Sequence, residues 1–376
     1  MRKKTIALVL GTKLSSGGGF VYERALVRLL RRVGPTLGVF VRVFSFSSNL
    51  TLVEHFSGEE SVVASERPLG RLERYLPFKT KGLPAPDQYF VDEGISLVYF
   101  ASPNRLAKRL SQTPYIFTVW DLYHRTLPEF PEFRGREWEA REGLYSSAIP
   151  RAFHTFVDSE RTKQLLSSFY GALEERVSPI GLLFDSSTGR RAEGSVDLPL
   201  GPYFIYPAKT WPHKNHSVLI AAMAIVIRDY PEATLVFTGV QAGGAEQAIS
   251  DKVKKLGIRE NVLQLGFVDD EFLDLLIENA VALLMPSFGV PTNIPPLQAL
   301  TLGTPVIASD GHLFEAPVQS RLKLVPPTMP ELWASEMREM LSNPRKFPPL
   351  IQSNETAENA ISSVIEDFFS REASWA

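Results

Sequence analysis

The stretch from residue 281 to 310 constrains the fold more than any other part of the sequence. It opens with an apolar run of strand length, residues 281–285. Thr292 and Asn293 are residue types that begin helices, and Pro295 suits a first helical turn, where a missing N–H costs least. The pattern predicts a strand, a loop and then a helix whose N-terminal N–H groups lie near the strand end.

The same stretch continues into a second strand. Gly303 lies where the helix would end with a positive φ, and residues 304–308 form the next apolar run. A helix N-terminus that follows a strand end offers unpaired N–H groups and a partial positive charge. The stretch therefore predicts a phosphate site at the carboxyl end of a parallel sheet.

Alternating strands and helices run through the whole chain in two successive series. The first begins with the apolar residues 5–10, and the second begins at residues 203–206, after a polar segment, 184–200, that is typical of a linker. This predicts an α/β protein with two Rossmann-like doubly wound domains that face each other across a cleft. We place the domains at residues 1–185 and 186–350, followed by a terminal segment, 351–376.

Composition excludes several classes of protein. The net charge of −2 over 376 residues argues against a broad nucleic-acid surface. The chain has no cysteine, which excludes disulfides and thiolate metal sites and fits a reducing compartment, so we expect a cytoplasmic protein. No stretch is long enough to span a bilayer, but peripheral contact with the inner face of the membrane stays open.

Two lysines lie in the loop after the first strand of the second domain. Lys209 and Lys214 are five residues apart, between Pro, Trp and His residues that suggest an ordered loop. Two ammonium groups beside a helix N-terminus suit a diphosphate, although lone loop lysines are more often surface residues. The chain has no Asp-x-Asp pair at a strand end and no His/Asp cluster with metal spacing, so we expect no metal.

The first domain has two candidate sites. Gly17, Gly18 and Gly19 lie between a strand and a helix, where they could form a tight turn or let a ligand approach the backbone. Asp121 and His124 follow another predicted strand end, within a segment that also has two aromatic residues and an arginine. This segment suits a ligand site as well as a capped, hydrogen-bonded loop.

Three blocks of the second domain resemble the retaining glycosyltransferases of family four, which have the GT-B fold. The blocks are AKTWPHKN at 208–215, PEATLVFTG at 231–239, and the stretch 286–310, which ends GTPVIASD. The resemblance implies transfer of a sugar from a nucleotide-diphosphate donor with retention. It also implies that the terminal helix packs back on the first domain.

The resemblance implies roles for individual residues. The catalytic residues would be Lys209, Lys214, Asp121 and His124. The two lysines would contact the donor diphosphate, Asp121 would lie in the family's His-Asp segment, and His124 would contact the sugar. The remaining donor-binding positions are Gly17, Gly18, Gly19, Gly239, Phe267, Thr292, Asn293, Ile294 and Gln298. Two of the family's features are missing, because Val290 and Gln298 stand where it has glutamates.

We therefore expect a metal-independent glycosyltransferase that needs no cofactor and uses a nucleotide sugar as donor. Its acceptor would be a glycan or a lipid-linked glycan of bacterial surface polysaccharide assembly. The alternative is a non-catalytic nucleotide-sugar or glycan-binding subunit that has lost the carboxylates. An epimerase is less favoured, because no carboxylate and histidine set for proton abstraction is evident. Basic residues could meet a lipid diphosphate or simply be solvated: Lys79, Lys81, Arg105, Lys108 and Arg109.

Overall fold

The computed structural model describes residues 4–12, 17–45, 62–64, 86–184, 198–242, 244–289, 294–310, 316–351 and 353–375. The chain forms two compact units, and neither is continuous in sequence. Unit 1 consists of Met1–His124, Gly135–Asp185 and Ser353–Ala376, and unit 2 consists of Arg125–Arg134 and Ser186–Gln352.

Unit 1 is built on a parallel sheet of seven strands in the order β3-β2-β1-β4-β5-β6-β7. The strands are β1 Thr5–Leu10, β2 Phe40–Ser45, β3 Val62–Ala64, β4 Leu97–Phe100, β5 Tyr115–Val119, β6 His154–Val157 and β7 Val177–Pro179. Its helices are α1 Gly18–Thr36, α2 Pro86–Asp92, α3 Tyr123–Thr126 (whose last two residues fall in unit 2), α4 Arg136–Ala148 and α5 Glu160–Tyr170.

Unit 2 repeats this topology with six parallel strands in the order β10-β9-β8-β11-β12-β13. The strands are β8 Tyr203–Pro207, β9 Thr234–Thr238, β10 Val262–Gly266, β11 Ala282–Met285, β12 Val306–Ser309 and β13 Leu322–Val325. The helices are α6 His216–Val226, α7 Glu246–Leu256, α8 Asp270–Asn279, α9 Ile294–Thr301, α10 Ala316–Gln319 and α11 Pro330–Ser342. The last helix of the chain, α12 Glu355–Trp375, belongs to unit 1.

The central strands are buried on both faces. All residues of β1, β4 and β5 are buried, as are those of β11 and β12. Helices that cover both faces of a parallel sheet account for these continuous apolar runs. The predicted α/β class with two doubly wound domains is confirmed.

The structure differs from the predicted elements in a few places. Between β4 and β5, where the alternating pattern predicts a helix, the chain forms only a short 3₁₀ helix, Arg105–Arg109, which begins where the Asn104 side chain accepts a hydrogen bond from the N–H of Leu106. Sequence periodicity did not predict β3 or β7, because runs of three residues are too short to show a period. It also gave no sign that residues 125–134 would join unit 2.

Candidate functional site

The strand order places a ligand-type crevice in each unit. Neighbouring strands β8 and β11 of unit 2 run parallel, but the chain leaves them in opposite directions across the sheet. Ligands of open α/β sheets bind at this switch point, beyond the carboxyl ends of the strands. The loop after β8, residues 208–215, carries Lys209 and Lys214, and we call it the lysine loop.

The lysine loop is fixed to the loop that follows β11. The Tyr206 hydroxyl donates to the carbonyl of Lys214 at 2.8 Å and lies 3.0 Å from the Ser287 hydroxyl. The N–H of Phe288 donates to the carbonyl of His213 at 2.9 Å. The sequence blocks that carry the predicted diphosphate site therefore lie side by side.

Asn215 ends the lysine loop and ties it to two further segments. Its backbone has a φ of 57°, the only positive value at a non-glycine residue within the described ranges. Its side-chain amide donates to the carbonyls of Pro286 at 3.1 Å and Pro327 at 2.7 Å. Asparagine tolerates this left-handed conformation better than most residues, and here its side chain also satisfies two loop carbonyls.

Gly239 lets the end of β9 approach the start of the lysine loop. Its φ is 120°, and a Cβ atom there would lie 2.7 Å from the carbonyl oxygen of Ala208. Nearby, the Thr210 hydroxyl donates to the carbonyl of Ala242 at 2.9 Å and accepts from the N–H of the same residue at 2.8 Å. The predicted donor position Gly239 thus supports the shape of the lysine loop.

Burial shapes the electrostatics of this region. It lowers the pKa of the half-buried Lys209 ammonium below its usual value. It also lowers the pKa of His216 to about 3, even though a hydrogen bond with the backbone of Ala208 acts in the other direction. His216 is therefore neutral near pH 7, and the lysines supply the positive charge of the lysine loop.

The other predicted donor residues of unit 2 have mixed surroundings. Ile294 is buried at the start of α9, and Phe267 is 58% exposed after β10. The Gln298 side chain donates to the carboxylate of Asp274 on α8, so it is already hydrogen-bonded within the protein. Thr292, Asn293 and Val290 lie outside the described residues, as do Lys79 and Lys81.

In unit 1, the glycine segment makes room for an aromatic ring. Gly17 has a φ of 64° and precedes α1, which begins at Gly18. A Cβ atom at Gly19 would lie 2.9 Å from the ring of Trp120. The glycine at this position is therefore required by packing against Trp120, whatever else the segment binds.

A buried carboxylate that sequence reasoning missed lies under the β1 loop. Glu23 is 0% exposed. Its carboxylate accepts from the N–H of Gly11 at 2.9 Å, the N–H of Thr12 at 3.2 Å and the Thr12 hydroxyl. Burial raises the pKa of Glu23. Glu23 lies three residues before Leu26 and therefore on the apolar face of α1. This position was the sequence feature that could have indicated a buried carboxylate.

Asp121 lies in an ionic network at the end of β5. Its carboxylate accepts from the guanidinium of Arg141 and, at 3.1 Å, from the N–H of Tyr123. Arg141 also donates to Glu137 at 2.7 Å. Burial acts to lower the pKa of Arg141, but the carboxylates of Asp121 and Glu137 outweigh it and raise that pKa.

His124 is fully buried beside this network. Its Nε2 atom lies 2.9 Å from the Tyr170 hydroxyl and 3.3 Å from a carboxylate oxygen of Glu142, and its ring packs edge-on against Tyr145. Burial and the positive charge of Arg141 lower the pKa of His124. The ring would have to become exposed to touch a sugar, so that contact stays a prediction.

A cavity of about 280 Å³ opens at the switch point of unit 1. The loops after β1, β4 and β5 contribute to it, together with one face of α4. Its polar and aromatic lining includes Thr12, Ser102, Arg105, Trp120, Asp121, Glu137 and Arg141. The lining combines two carboxylates with two guanidinium groups, so the cavity suits a hydroxyl-rich ligand better than a polyanion.

The described part of the chain holds no cluster of three or more His, Asp or Glu residues that could bind a metal ion. Among the helices that the structure describes, none has the length and apolar character needed to cross a membrane.

A known protein family matches the second half of the chain. Residues 199–362 match the family described as "Glycosyl transferases group 1". Among characterised proteins, the O-antigen chain mannosyltransferase RfbU of Salmonella typhimurium is 24% identical over 197 residues, 52% of this chain and 53% of RfbU. The D-inositol 3-phosphate glycosyltransferase of Segniliparus rotundus is 24% identical over 192 residues, 48% of this chain and 43% of that protein. The chain thus spans about half the length of these relatives.

Solved structures extend the similarity to the whole chain. HepE of Anabaena, solved in complex with UDP and glucose, has a TM-score of 0.67 at 17% identity and covers 99% of this chain and 100% of its own. The sucrose-phosphate synthase of Thermosynechococcus elongatus has a TM-score of 0.69 at 18% identity, with the same coverage. Residues 199–362 are thus similar to the group 1 glycosyl transferases, and the chain as a whole has the two-domain GT-B fold.

Proposed function

We propose that the protein is a retaining glycosyltransferase of the family-four type that moves a sugar from a nucleotide-diphosphate donor to a glycan or lipid-linked acceptor. The observation that carries this proposal is the ordered lysine loop at the switch point of unit 2. It is fixed to the loop after β11 by Tyr206 and by Phe288. Both loops belong to the segment that matches the group 1 family.

The chemistry assigned to the lysine loop is electrostatic. When the sugar leaves, negative charge develops on the diphosphate, and the ammonium groups of Lys209 and Lys214 would stabilise it. An anion beside Lys209 would raise its pKa again, which opposes the effect of burial. In retaining transfer of this kind, a donor phosphate oxygen can take the acceptor's proton, so the proposal needs neither a protein base nor a metal nor a cofactor.

We assign the cavity of unit 1 to the acceptor. Asp121, Glu137 and Arg141 offer acceptors and donors for sugar hydroxyls, and Trp120 offers an aromatic surface. The similarity to an O-antigen mannosyltransferase favours a role in polysaccharide assembly. As part of the same proposal, the reaction takes place in the cytoplasm, with peripheral contact at the inner face of the membrane.

The first test is nucleotide binding by thermal shift, with UDP, GDP, dTDP, CMP and their sugar conjugates, first without metal and then with magnesium. A ligand at about 100 times its dissociation constant stabilises the native state by about 2.7 kcal/mol. We expect a metal-independent shift with one nucleoside diphosphate and its loss in Lys214→Ala. The control is Lys255→Ala, which removes an exposed lysine of α7 in the same unit.

The second test is transfer itself. With the nucleotide sugar identified by binding, Lys214→Ala should lower kcat by about 100-fold, because a donor to a developing negative charge is removed. The anomeric configuration of the product, followed by NMR, should match that of the donor. An inverted product would end the retaining assignment, and no shift with any nucleotide would end the proposal as a whole.

One observation favours the alternative of a nucleotide-sugar or glycan-binding subunit. Gln298, which stands in place of a family glutamate, is hydrogen-bonded to Asp274 on α8. Binding of a nucleotide sugar without turnover in any acceptor mixture would favour this second function.

A further inference from the structure

Residues 125–134 form a folded segment of unit 2, which we call the strap. The chain reaches it from His124 of unit 1 and returns to unit 1 at Gly135. The guanidinium of Arg134 donates to the carbonyls of Pro128, at 2.9 Å, and Glu129. The strap is therefore a compact turn rather than an extended linker.

A carboxylate of the strap is bonded to the middle of the lysine loop. One oxygen of Glu132 accepts from the backbone N–H of His213 at 2.9 Å and lies 2.6 Å from the Nδ1 atom of the same residue. Both side chains are buried, at 5% and 7% exposure. A carboxylate oxygen is an acceptor, so the tautomer of His213 that forms this hydrogen bond is the one with its proton on Nδ1.

Aromatic packing surrounds this contact. The ring of Phe133 lies 5.0 Å from the ring of His213, and the ring of Phe130 lies 5.3 Å from that of Phe288. Phe288 in turn donates its N–H to the carbonyl of His213. The N–H, the ring and the carbonyl of His213 are thus all bonded, and the strap supplies two of these three contacts.

The contact between Glu132 and His213 matters because His213 lies between the two lysines of the lysine loop in sequence, next to Lys214. It directly precedes Lys214 and lies four residues after Lys209, so a change in its backbone would move the proposed diphosphate ligands. Meanwhile the second oxygen of Glu132 is buried and finds no hydrogen-bond partner in the described part of the chain. A buried carboxylate with an unsatisfied oxygen is a poor device for stability, which points to a role in the site.

We propose that Glu132 is a positioning residue that fixes the lysine loop in the conformation that presents Lys209 and Lys214 to a diphosphate. The carboxylate comes from a distant part of the sequence and acts through His213 rather than by touching the donor. The identity of the ligand rests on the function proposed above, whereas the effect of Glu132 on the lysine loop does not.

The first experiment therefore uses the full-length protein without ligand. Hydrogen exchange is compared for the wild type, Glu132→Ala, Glu132→Gln and Glu129→Gln, the last of which neutralises an exposed carboxylate of the same strap. In Glu132→Ala, we expect peptides that cover residues 209–215 to exchange about tenfold faster than in the wild type. Glu132→Gln keeps an acceptor oxygen and should restore most of the protection, and Glu129→Gln should match the wild type.

Two outcomes would overturn the positioning role. One is unchanged exchange of residues 209–215 in Glu132→Ala. The other is an equal acceleration throughout unit 2, because a loss of general stability would have that effect.

The second experiment measures nucleotide affinity by calorimetric titration with UDP and GDP, at a temperature where every variant is folded. Glu132→Ala should weaken binding about tenfold, and Glu132→Gln should recover most of the affinity. The control is Tyr203→Phe, which removes a buried 2.8 Å hydrogen bond to the carbonyl of Leu276 at the other end of β8. It should lower the melting temperature and leave the affinity unchanged.

The two experiments separate the two proposals. Equal affinity in Glu132→Ala and the wild type would contradict the positioning role. Absence of nucleotide binding in the wild type would contradict the proposed function, and the exchange experiment would still decide whether Glu132 fixes the lysine loop.

Discussion

Gly239 illustrates how much of the site depends on single backbone positions. Its φ of 120° belongs to a region that other residues rarely adopt, and the carbonyl of Ala208 leaves no room for a Cβ atom. We expect Gly239→Ala to lower the free energy of unfolding by about 3 kcal/mol in urea titrations and to abolish nucleotide binding.

A second glycine of unit 2 has a positive φ without the clash and serves as the control. Gly257 ends α7 with a φ of 67°, and a Cβ atom there would meet nothing within 4 Å. Gly257→Ala should lower the free energy of unfolding by only about 1 kcal/mol, with nucleotide binding unchanged. Equal losses in the two variants would show that the contact with Ala208 has no part in the effect.

For single residues, sequence patterns show which side chains follow a strand end, but they miss contacts between residues that are far apart in the sequence. The spacing of Lys209 and Lys214 was enough to place both on one ordered loop. The bond between Glu132 and His213 joins residues 81 positions apart, and no local pattern marks it. Likewise, no sequence pattern around Gln298 indicates that its side-chain amide donates a hydrogen bond to Asp274.

At the element scale, α12 is part of the core of unit 1. Phe368 is buried, and its ring lies 5.2 Å from that of Phe153. We expect Phe368→Ala to lower the stability of unit 1 by about 3 kcal/mol, because a large cavity would remain. Urea unfolding followed by peptide-level hydrogen exchange measures this loss for each unit.

The control for this prediction is Phe169→Ala on α5. Phe169 belongs to unit 1 but is 37% exposed, so its removal should cost about 1 kcal/mol or less. Loss of protection in unit 2, rather than unit 1, in Phe368→Ala would contradict the assignment of α12.

Periodicity predicted the long elements well and the short ones poorly. Helices such as α1 and α5 have enough turns to show an apolar face, and the Ser159 side chain caps α5 by accepting from the N–H of Thr162. The 3₁₀ helix Arg105–Arg109 and the three-residue strands β3 and β7 have no measurable period, and pairing with neighbouring strands decides where β3 and β7 form.

At the scale of the molecule, the two units should respond differently to acid. Burial lowers the pKa of His216 in unit 2 from 6.5 to about 3, so the unfolded chain takes up this proton first. The stability of unit 2 should then fall below pH 6.5, by up to about 1.4 kcal/mol per pH unit for this one proton.

In unit 1, two carboxyl groups offset the loss of stability that two buried histidines cause as the pH falls. Burial lowers the pKa of His124 and lowers that of His154 to about 4, so both destabilise unit 1 as the pH falls. Burial raises the pKa of Glu23, and it raises that of Asp158 to about 6, so the folded state takes up these protons first. These two groups therefore stabilise unit 1 as the pH falls.

We therefore expect unit 2 to lose more stability than unit 1 between about pH 7 and about pH 5. Urea unfolding at each pH, followed by a deuterium pulse at one fixed pH, reports each unit separately. His216→Phe, which keeps an aromatic ring against Tyr206 and Phe237, should flatten the response of unit 2. A response of unit 2 that is unchanged in His216→Phe would show that another group causes it.

The division of the chain also sets an order of events during synthesis on the ribosome. The strap leaves the ribosome before any strand of unit 2. Glu132 and Phe130 are therefore already available for contact when the lysine loop is synthesised. Unit 1 begins first but is completed last, because α12 leaves the ribosome only after all of unit 2. The unit that holds the 280 Å³ cavity is therefore the later of the two to become complete.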